Sequence, residues 1–249
     1  MLYLYPSFYF YMALPFFYFA EERFTLGNQI ILDEAVSKHI VQALRMQNGE
    51  KLILSNGNGI IATCIIADNH RKKCTVEVIN AQIKNPPQHK TIIAVSPIKN
   101  SSRFEWFLEK ATEIGVSEIV PLLCSRTEKH SLKPERAKNI LVSAMVQSRQ
   151  CRLPLYHEPV KFENYIDTLK NENTLQKFIA HCENAEHKFL LTPFEKPASS
   201  IILIGPEGDF TAEEIQLALQ HNFTAVSLGQ NRLRTETAAL VASVLLALK

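Results

Sequence analysis

The sequence lacks the cysteine spacing that metal sites and disulfide frameworks require. Its five cysteines are scattered over 249 residues, their number is odd, and no two of them form a CxxC pair. Structural zinc sites use such pairs, and disulfide-rich secreted domains use cysteines in even numbers. We therefore expect no metal, and we interpret the cysteines as reduced thiols of a cytoplasmic protein.

Net charge is also nearly absent, with 27 basic against 25 acidic side chains. This balance does not indicate a polyanionic partner, so a surface that binds nucleic acid must come from local clusters of basic residues. The chain has no aromatic-rich strand on which single-stranded bases would stack. It also has no GxGxxG turn after an early strand, which disfavours a nucleotide-dependent dehydrogenase.

The first twenty residues contain no charged side chain and are rich in tyrosine, phenylalanine and leucine. A secretory signal would need a basic segment before its apolar stretch, and the first basic residue here is Arg23. Pro6 and Pro15 also interrupt the apolar run. We therefore expect neither a signal peptide nor a membrane anchor.

A polar segment with two prolines, residues 84–90, divides the chain. Proline blocks helices and central strands, so we place a linker between two domains here. Before it, short apolar runs and one helix capped by Asp33 indicate a small β-barrel. After it, strands alternate with helices, which predicts an α/β domain with a largely parallel sheet and helices on both faces.

Local signals predict several helix ends in this second domain. Ser102 with Glu105, and Thr211 with Glu214, have the spacing of capping boxes. The last helix is predicted over residues 237–248 and is apolar nearly all round. Such a helix must be buried in a core or in a subunit interface.

Two apolar runs near the end of the chain each break into an irregular loop that contains glycine. Residues 201–204 are followed by GPEGDF at 205–210, and residues 225–228 are followed by GQNRLRTETA at 229–238. In open α/β sheets, ligands bind beyond the carboxyl ends of the strands. Glycine also lets the backbone approach a ligand closely. The two loops are therefore a candidate ligand site, although proline and glycine also occur in ordinary turns.

Charge in the second loop favours a site. Arg232, Arg234 and Glu236 lie within five residues, immediately before the apolar last helix. Buried charges are costly unless they are paired. This cluster therefore indicates either a functional site or a mutual ion pair.

The two loop segments carry a specific resemblance. Residues 204–215, IGPEGDFTAEEI, and residues 228–240, LGQNRLRTETAAL, resemble the two signature loops of the RsmE-type family of SPOUT methyltransferases. That family transfers a methyl group from S-adenosylmethionine to N3 of a uridine in 16S ribosomal RNA. Asp209 departs from the commoner pattern, in which a second glycine follows Gly208.

The resemblance implies a fold and a domain plan. Residues 1–11 would be an extension outside the fold, and residues 12–85 would form a PUA-like RNA-binding barrel. Residues 90–249 would form the SPOUT methyltransferase domain, an α/β domain with a parallel sheet and a trefoil knot. Members bury the apolar last helix in a homodimer, so we expect a homodimer through the C-terminal domain.

The resemblance also implies a site. Arg234 would stabilise negative charge on the base, and Glu236 would either orient Arg234 or accept a proton. The alternative is that the two form a salt bridge that only pins the loop. The residues expected around S-adenosylmethionine are Leu203, Gly205, Pro206, Glu207, Gly208, Leu228, Gly229, Arg232, Leu233, Thr235, Thr237 and Ala238.

Basic residues in or beside loops are candidates for contacts with RNA phosphates. Arg45 lies in a His…Leu-Arg…Gly pattern that the family shares, and Arg152 follows a shared Gln-Ser pair. The alternative is a solvated surface with ion pairs, because acidic residues are interleaved with basic ones between residues 99 and 152. The full set of candidates is Arg45, Lys99, Arg103, Arg126, Arg149 and Arg152.

The function implied by the resemblance is S-adenosylmethionine-dependent methylation of 16S rRNA in the small ribosomal subunit, with no metal and no membrane partner. One alternative is a non-catalytic RNA-binding or ribosome-assembly factor. The other is a SPOUT methyltransferase with a different RNA substrate. Retention of the charged second loop argues against a chain that has lost activity.

Overall fold

A computed structural model describes residues 14–128, 132–183, 189–190 and 198–247 of the chain. They form two compact units. The first takes in the described residues up to Pro86 together with Met145–Arg152, and the second takes in Pro87–Ala144 and the described residues from Leu153 onward. The predicted extension, residues 1–11, lies outside the described residues. Within the described ranges, no helix has both the length and the apolar character needed to cross a bilayer.

The first unit is a five-stranded sheet with one short helix. Its strand order is β1-β3-β4-β5-β2, and every pairing is antiparallel except that of β1 with β3. The helix α1 is capped as predicted, because the Asp33 carboxylate accepts a hydrogen bond from Val36 N at 2.9 Å. The elements are β1 Phe16–Tyr18, β2 Gln29–Ile31, α1 Glu34–Lys38 with a π-helical continuation His39–Ala43, β3 Lys51–Ser55, β4 Ile60–Asp68 and β5 Thr75–Ile83.

A segment from the middle of the chain completes the first unit. Met145–Arg152 belongs to it, whereas the sequence predicted a continuous domain over residues 12–85. Arg152 donates from Nη1 to the carbonyl oxygen of Asn58 at 3.1 Å and from Nη2 to the carbonyl oxygen of Lys84. The N–H of Gly59 donates to the carbonyl oxygen of Cys151 at 2.8 Å. These contacts join residues that are distant in sequence, so no local pattern predicts them.

The second unit confirms the predicted α/β fold. Its eight-stranded sheet has the order β11-β13-β10-β12-β6-β7-β8, with β9 also on β7, and all of these pairings are parallel. The strands are β6 Thr91–Val95, β7 Glu118–Leu123, β8 Leu155–Tyr156, β9 Val160–Lys161, β10 Gln176–Ala180, β11 Phe189–Leu190, β12 Ser200–Ile204 and β13 Thr224–Ser227. The helices are α2 Ser101–Ile114, α3 Pro134–Gln147, α4 Phe162–Thr168, α5 Ala212–Gln220 and α6 Thr235–Ala247.

Helices cover both faces of this sheet. Successive side chains in a strand point to opposite faces, and neighbouring residues of β6 therefore enter two different cores. Ile93 packs with Phe107 of α2 and Ala242 of α6 in one core, whereas Ile92 packs with Phe162 of α4 in the other. Because both faces are covered, the central strands β6 and β12 are buried at every position.

One of the two predicted capping boxes is confirmed and the other is wrong. Thr211 and Glu214 form the reciprocal bonds of a capping box at the start of α5. At α2 the helix begins two residues earlier than predicted, at Ser101, and Asn100 is the cap, with its side-chain oxygen accepting from Ser102 N at 3.0 Å. Glu105 is instead bonded to Arg136 at 2.7 Å, which removes it from the helix start.

We predict that Gly59→Ala destabilises the protein by about 3 kcal/mol in urea denaturation. An added Cβ would lie 2.2 Å from Arg152 Nη2, and the backbone φ of Gly59 is +93°. The left-handed backbone costs about 1–2 kcal/mol, and displacing a charged donor from its acceptors costs about as much again.

Gly27→Ala is the matched control, because its φ is +81° and nothing lies within 4 Å of the added Cβ. It should lose only the backbone contribution of about 1–2 kcal/mol. In an Arg152→Ala background the cost of Gly59→Ala should fall to that of Gly27→Ala. Equal losses for the two alanine variants in the unsubstituted protein would contradict the proposed clash.

Candidate active site

The candidate site lies at the carboxyl edge of the second unit's sheet. Because the strands are parallel, their carboxyl ends meet at one edge, and Ile204 pairs in register with both Ala180 and Val95. Ala180 also pairs with Val226. Strand β10 therefore lies between β12 and β13, so the segment after β10 runs between the two loops that the sequence predicted. The sequence analysis missed this third segment, residues 181–183.

The first loop, residues 205–210, is held by an arginine. Arg126 donates from Nη1 to the carbonyl oxygens of Gly208 at 2.7 Å and Phe210 at 3.3 Å. A Cβ added at Gly208 would lie 3.3 Å from the Arg126 side chain, and one added at Gly205 would lie 3.1 Å from the Phe210 ring. Arg126 was predicted to contact RNA, and the structure places it on the first loop.

A buried carboxylate fixes the start of α5 beneath this loop. Glu214 is 3% exposed. Its Oε1 accepts from the backbone N of Ser125 at 2.8 Å and from the Ser125 hydroxyl at 3.1 Å, while its Oε2 accepts from Thr211 N at 2.8 Å. Burial raises the pKa of the neighbouring Cys124 thiol, and the Glu214 carboxylate adds to that shift. Cys124 therefore stays protonated and is unsuited to act as a nucleophile.

The second loop, residues 228–234, ends earlier than predicted. Helix α6 begins at Thr235, so Glu236 lies in the first helical turn. The Thr235 hydroxyl is buried and donates to the carbonyl oxygen of Gly205 at 3.1 Å, which joins this helix to the first loop. Arg232 and Arg234 are exposed. A Cβ added at Gly229 would meet nothing within 4 Å, so the space beside this residue is open.

Glu236 is paired with a different arginine from the one that the sequence suggested. It is 7% exposed, and its Oε1 lies 3.7 Å from Nε of Arg103 on α2. The proposed salt bridge with Arg234 is absent among the ion pairs of the described residues. The other carboxylate oxygen, Oε2, is buried and has no hydrogen-bond partner in the described part of the chain. An unpaired buried acceptor is costly, so a donor on a bound molecule would stabilise it.

The remaining cofactor candidates line the same two loops. Leu203 and Pro206 are buried, whereas Glu207 is exposed. The half-buried members are Leu228, Leu233, Thr237 and Ala238. Their positions are compatible with the implied roles, which stay predictions.

The other RNA candidates divide between the two units, and their roles also stay predictions. In the second unit, Lys99 pairs with Glu128 at 3.1 Å, with both side chains exposed. In the first unit, Arg45 is exposed and has a left-handed backbone with φ +56°, and Arg149 is similar with φ +54°. Arg152 uses both terminal nitrogens on backbone carbonyl oxygens, which leaves fewer donors for phosphate.

No group of three His, Cys, Asp or Glu side chains within the described ranges is arranged to hold a metal ion. Among the charged groups at the carboxyl edge, Glu236 is paired with Arg103, and Arg126 donates to backbone carbonyl oxygens. The site therefore consists of three adjacent backbone segments, a buried carboxylate with one unsatisfied oxygen, and exposed arginines.

Comparison with known proteins assigns both units to described families. Residues 84–247 match a family described as the RNA methyltransferase domain, and residues 32–79 match one described as the RNA methyltransferase PUA domain. The fold and the site thus define an RNA methyltransferase with an N-terminal PUA domain.

Individual relatives narrow this class. A probable rRNA methyltransferase from Porphyromonas gingivalis is 37% identical with a TM-score of 0.82, over 92% of this chain and 95% of that one. A ribosomal RNA small subunit methyltransferase E from Neisseria gonorrhoeae, described as bound to S-adenosyl methionine, is 26% identical with a TM-score of 0.80 over the same shares. The protein of that name from Synechocystis is 30% identical over 86% of this chain and 71% of its own length. The chain therefore belongs to the family of ribosomal RNA small subunit methyltransferase E, which confirms the resemblance.

We predict that Glu214→Ala lowers the free energy of unfolding by about 3 kcal/mol, because it removes a buried carboxylate that accepts hydrogen bonds from the partly buried N–H groups of Ser125 and Thr211. Urea denaturation followed by circular dichroism measures the change. Glu213→Ala is the matched control, since Glu213 is the preceding residue in the same helical turn and is exposed. A similar loss in both variants would show that charge at the helix start, rather than the hydrogen bonds of the Glu214 carboxylate, is responsible.

Proposed function

We propose that this chain is an S-adenosylmethionine-dependent methyltransferase that modifies N3 of a uridine in 16S rRNA. The observation that carries the proposal is the buried Glu236 carboxylate, whose Oε2 has no donor within the described residues, close to where Thr235 joins the two predicted cofactor loops. Family membership and the cofactor named for the Neisseria gonorrhoeae relative support it.

The loops suit a bound cofactor. Glu236 Oε2, which has no donor among the described residues, fits a polar ligand here. Gly229 is exposed, so its backbone could approach a ligand without a side chain in the way. Backbone of the first loop at Gly205 and Gly208 and of the second loop at Gly229 would hold S-adenosylmethionine, with Leu228 and Leu233 supplying apolar contacts. When bound, this cofactor supplies an electrophilic methyl group.

The side chains at this edge suit the chemistry of a uridine. Its N3 carries a weakly acidic proton that must leave before or during methyl transfer. Glu236 Oε2 would accept that N3–H, which provides the donor that the oxygen lacks. Arg234 is exposed at the end of the second loop and would stabilise the negative charge that develops on the base. Arg103 would hold Glu236 in position through Oε1.

The same proposal covers the assembly. The described part of α6 is rich in alanine, leucine and valine, and Val244 remains 37% exposed. An apolar helix with an exposed position fits a homodimer formed through the C-terminal domain. We also infer the trefoil knot from family membership, since the chain returns from β13 to pack α6 against β6 and α2.

A non-catalytic RNA-binding or assembly factor is the competing function, and the PUA domain fits it as well. Calorimetric titration with S-adenosylmethionine, run beside a methylation assay on undermethylated small subunits, separates the two. We expect saturable binding and a methyl group at uridine N3. Binding with label elsewhere would assign a different RNA substrate, and absence of binding would favour the non-catalytic factor.

We predict that Arg234→Ala lowers kcat by about a hundredfold, because it removes a group that stabilises charge developing only during the reaction. The dissociation constant for S-adenosylmethionine should change far less. Arg136→Ala is the control, since Arg136 is an exposed arginine paired with Glu105 on a helix surface. Equal losses in turnover and in cofactor affinity would assign Arg234 to cofactor binding instead.

We predict that Glu236→Gln also lowers kcat by about a hundredfold, because an amide of the same size cannot accept the N3 proton. Stability and S-adenosylmethionine affinity should be retained, as thermal melts and titration would measure. Glu128→Gln, an exposed acid at the same edge that pairs with Lys99, should retain full turnover. A lower melting temperature with normal kcat would show that Glu236 serves only as the structural partner of Arg103.

A further inference from the structure

Asp209 has a backbone conformation that L residues rarely adopt. Its φ is +63°, in the left-handed region where glycine is favoured, and the similar family loops commonly carry glycine at this position. Aspartate tolerates this region better than most residues because its short side chain can bond locally. The conformation raises the question of what the carboxylate contributes.

The carboxylate of Asp209 joins two segments of the site. Its Oδ1 accepts from the backbone N of Phe210 at 2.8 Å, and its Oδ2 accepts from the backbone N of Cys182 at 2.7 Å. Cys182 follows the end of β10 by two residues. Since β10 lies between β12 and β13, this second bond connects the segment after β10 to the first loop.

We propose that Asp209 is a positioning residue that fixes the segment after β10 against the first loop and so raises the affinity for S-adenosylmethionine. This inference rests on the proposed function. The inference goes beyond that function because it assigns to the cofactor site a hydrogen bond, from Cys182 N to Asp209 Oδ2, that a glycine at position 209 could not form. Charge-assisted hydrogen bonds are stronger than neutral ones, and preorganised segments bind with a smaller loss of freedom.

Two substitutions distinguish the effect of losing the Asp209 carboxylate from the effect of the left-handed backbone at this position. Asp209→Gly adopts the same φ without strain and removes both bonds, so it isolates the loss of the tie. Asp209→Asn also tolerates the left-handed region and keeps one acceptor oxygen, so it can retain one of the two bonds. Neither residue introduces a new clash, because both are no larger than aspartate.

The first measurement reports on the hydrogen bond between Cys182 N and Asp209 in the absence of any ligand. Hydrogen exchange at the Cys182 amide, recorded by NMR on the full chain, should be faster by about tenfold in Asp209→Gly. The Asn variant should fall between glycine and the unsubstituted protein. Unchanged exchange at Cys182 in the glycine variant would overturn the inference, whatever the cofactor does.

The second measurement is the binding of S-adenosylmethionine. Asp209→Gly should raise its dissociation constant and its KM by about fivefold to tenfold, with kcat much less affected. The Asn variant should recover part of the affinity. Faster exchange with unchanged affinity would overturn the positioning role and leave a purely structural tie.

The unsubstituted protein distinguishes this inference from the proposed function. If it binds S-adenosylmethionine normally and the glycine variant does so equally well, only the inference fails. If the unsubstituted protein does not bind the cofactor, the proposed function is wrong, and the role of Asp209 in cofactor affinity is wrong as well.

Discussion

The parallel pairing of β10 with both β12 and β13 is the constraint on which the site depends. Parallel strands place their carboxyl ends at one edge, and this strand order brings residues 181–183, 205–210 and 228–234 together from distant parts of the chain. Hydrogen bonds then connect them, from Thr235 to the Gly205 carbonyl and from the Cys182 N–H to Asp209. Without this strand order, the two glycine-containing loops would be separate turns.

The three carboxylates discussed at this edge differ in whether both of their oxygens have hydrogen-bond donors. Glu214 and Asp209 each accept hydrogen bonds on both oxygens. Their donors are backbone N–H groups and one serine hydroxyl, so both carboxylates hold loop segments in place. Glu236 is the exception, because one oxygen is 3.7 Å from Arg103 and the other has no donor in the described part of the chain. A carboxylate with all of its hydrogen bonds formed stabilises the fold. A buried carboxylate oxygen without a donor is destabilising, and a donor on a bound substrate would relieve that cost. Sequence position alone does not distinguish them.

The sequence predicted features that local signals determine. Strand β12, the cap of α1 by Asp33 and the capping box at Thr211 all depend on neighbouring residues, and the structure contains all three. The predictions failed where tertiary contacts decide. Glu105 bonds Arg136 rather than capping α2, and residues 145–152 join the first unit. At the site, the loops were predictable from their motifs, but the ties through Arg126 and Asp209 were not, because their partners lie far along the chain.

The arginines show why local charge is an incomplete guide to RNA contacts. Arg103 and Arg126 were grouped with RNA candidates because they lie beside loops, yet one pairs with Glu236 and the other clamps two carbonyl oxygens. A guanidinium committed to buried or backbone acceptors has fewer donors left for phosphate. Arg232 and Arg234, in contrast, are exposed on the second loop. These two arginines place exposed positive charge next to Glu236, which is where the proposed mechanism requires the base to be held.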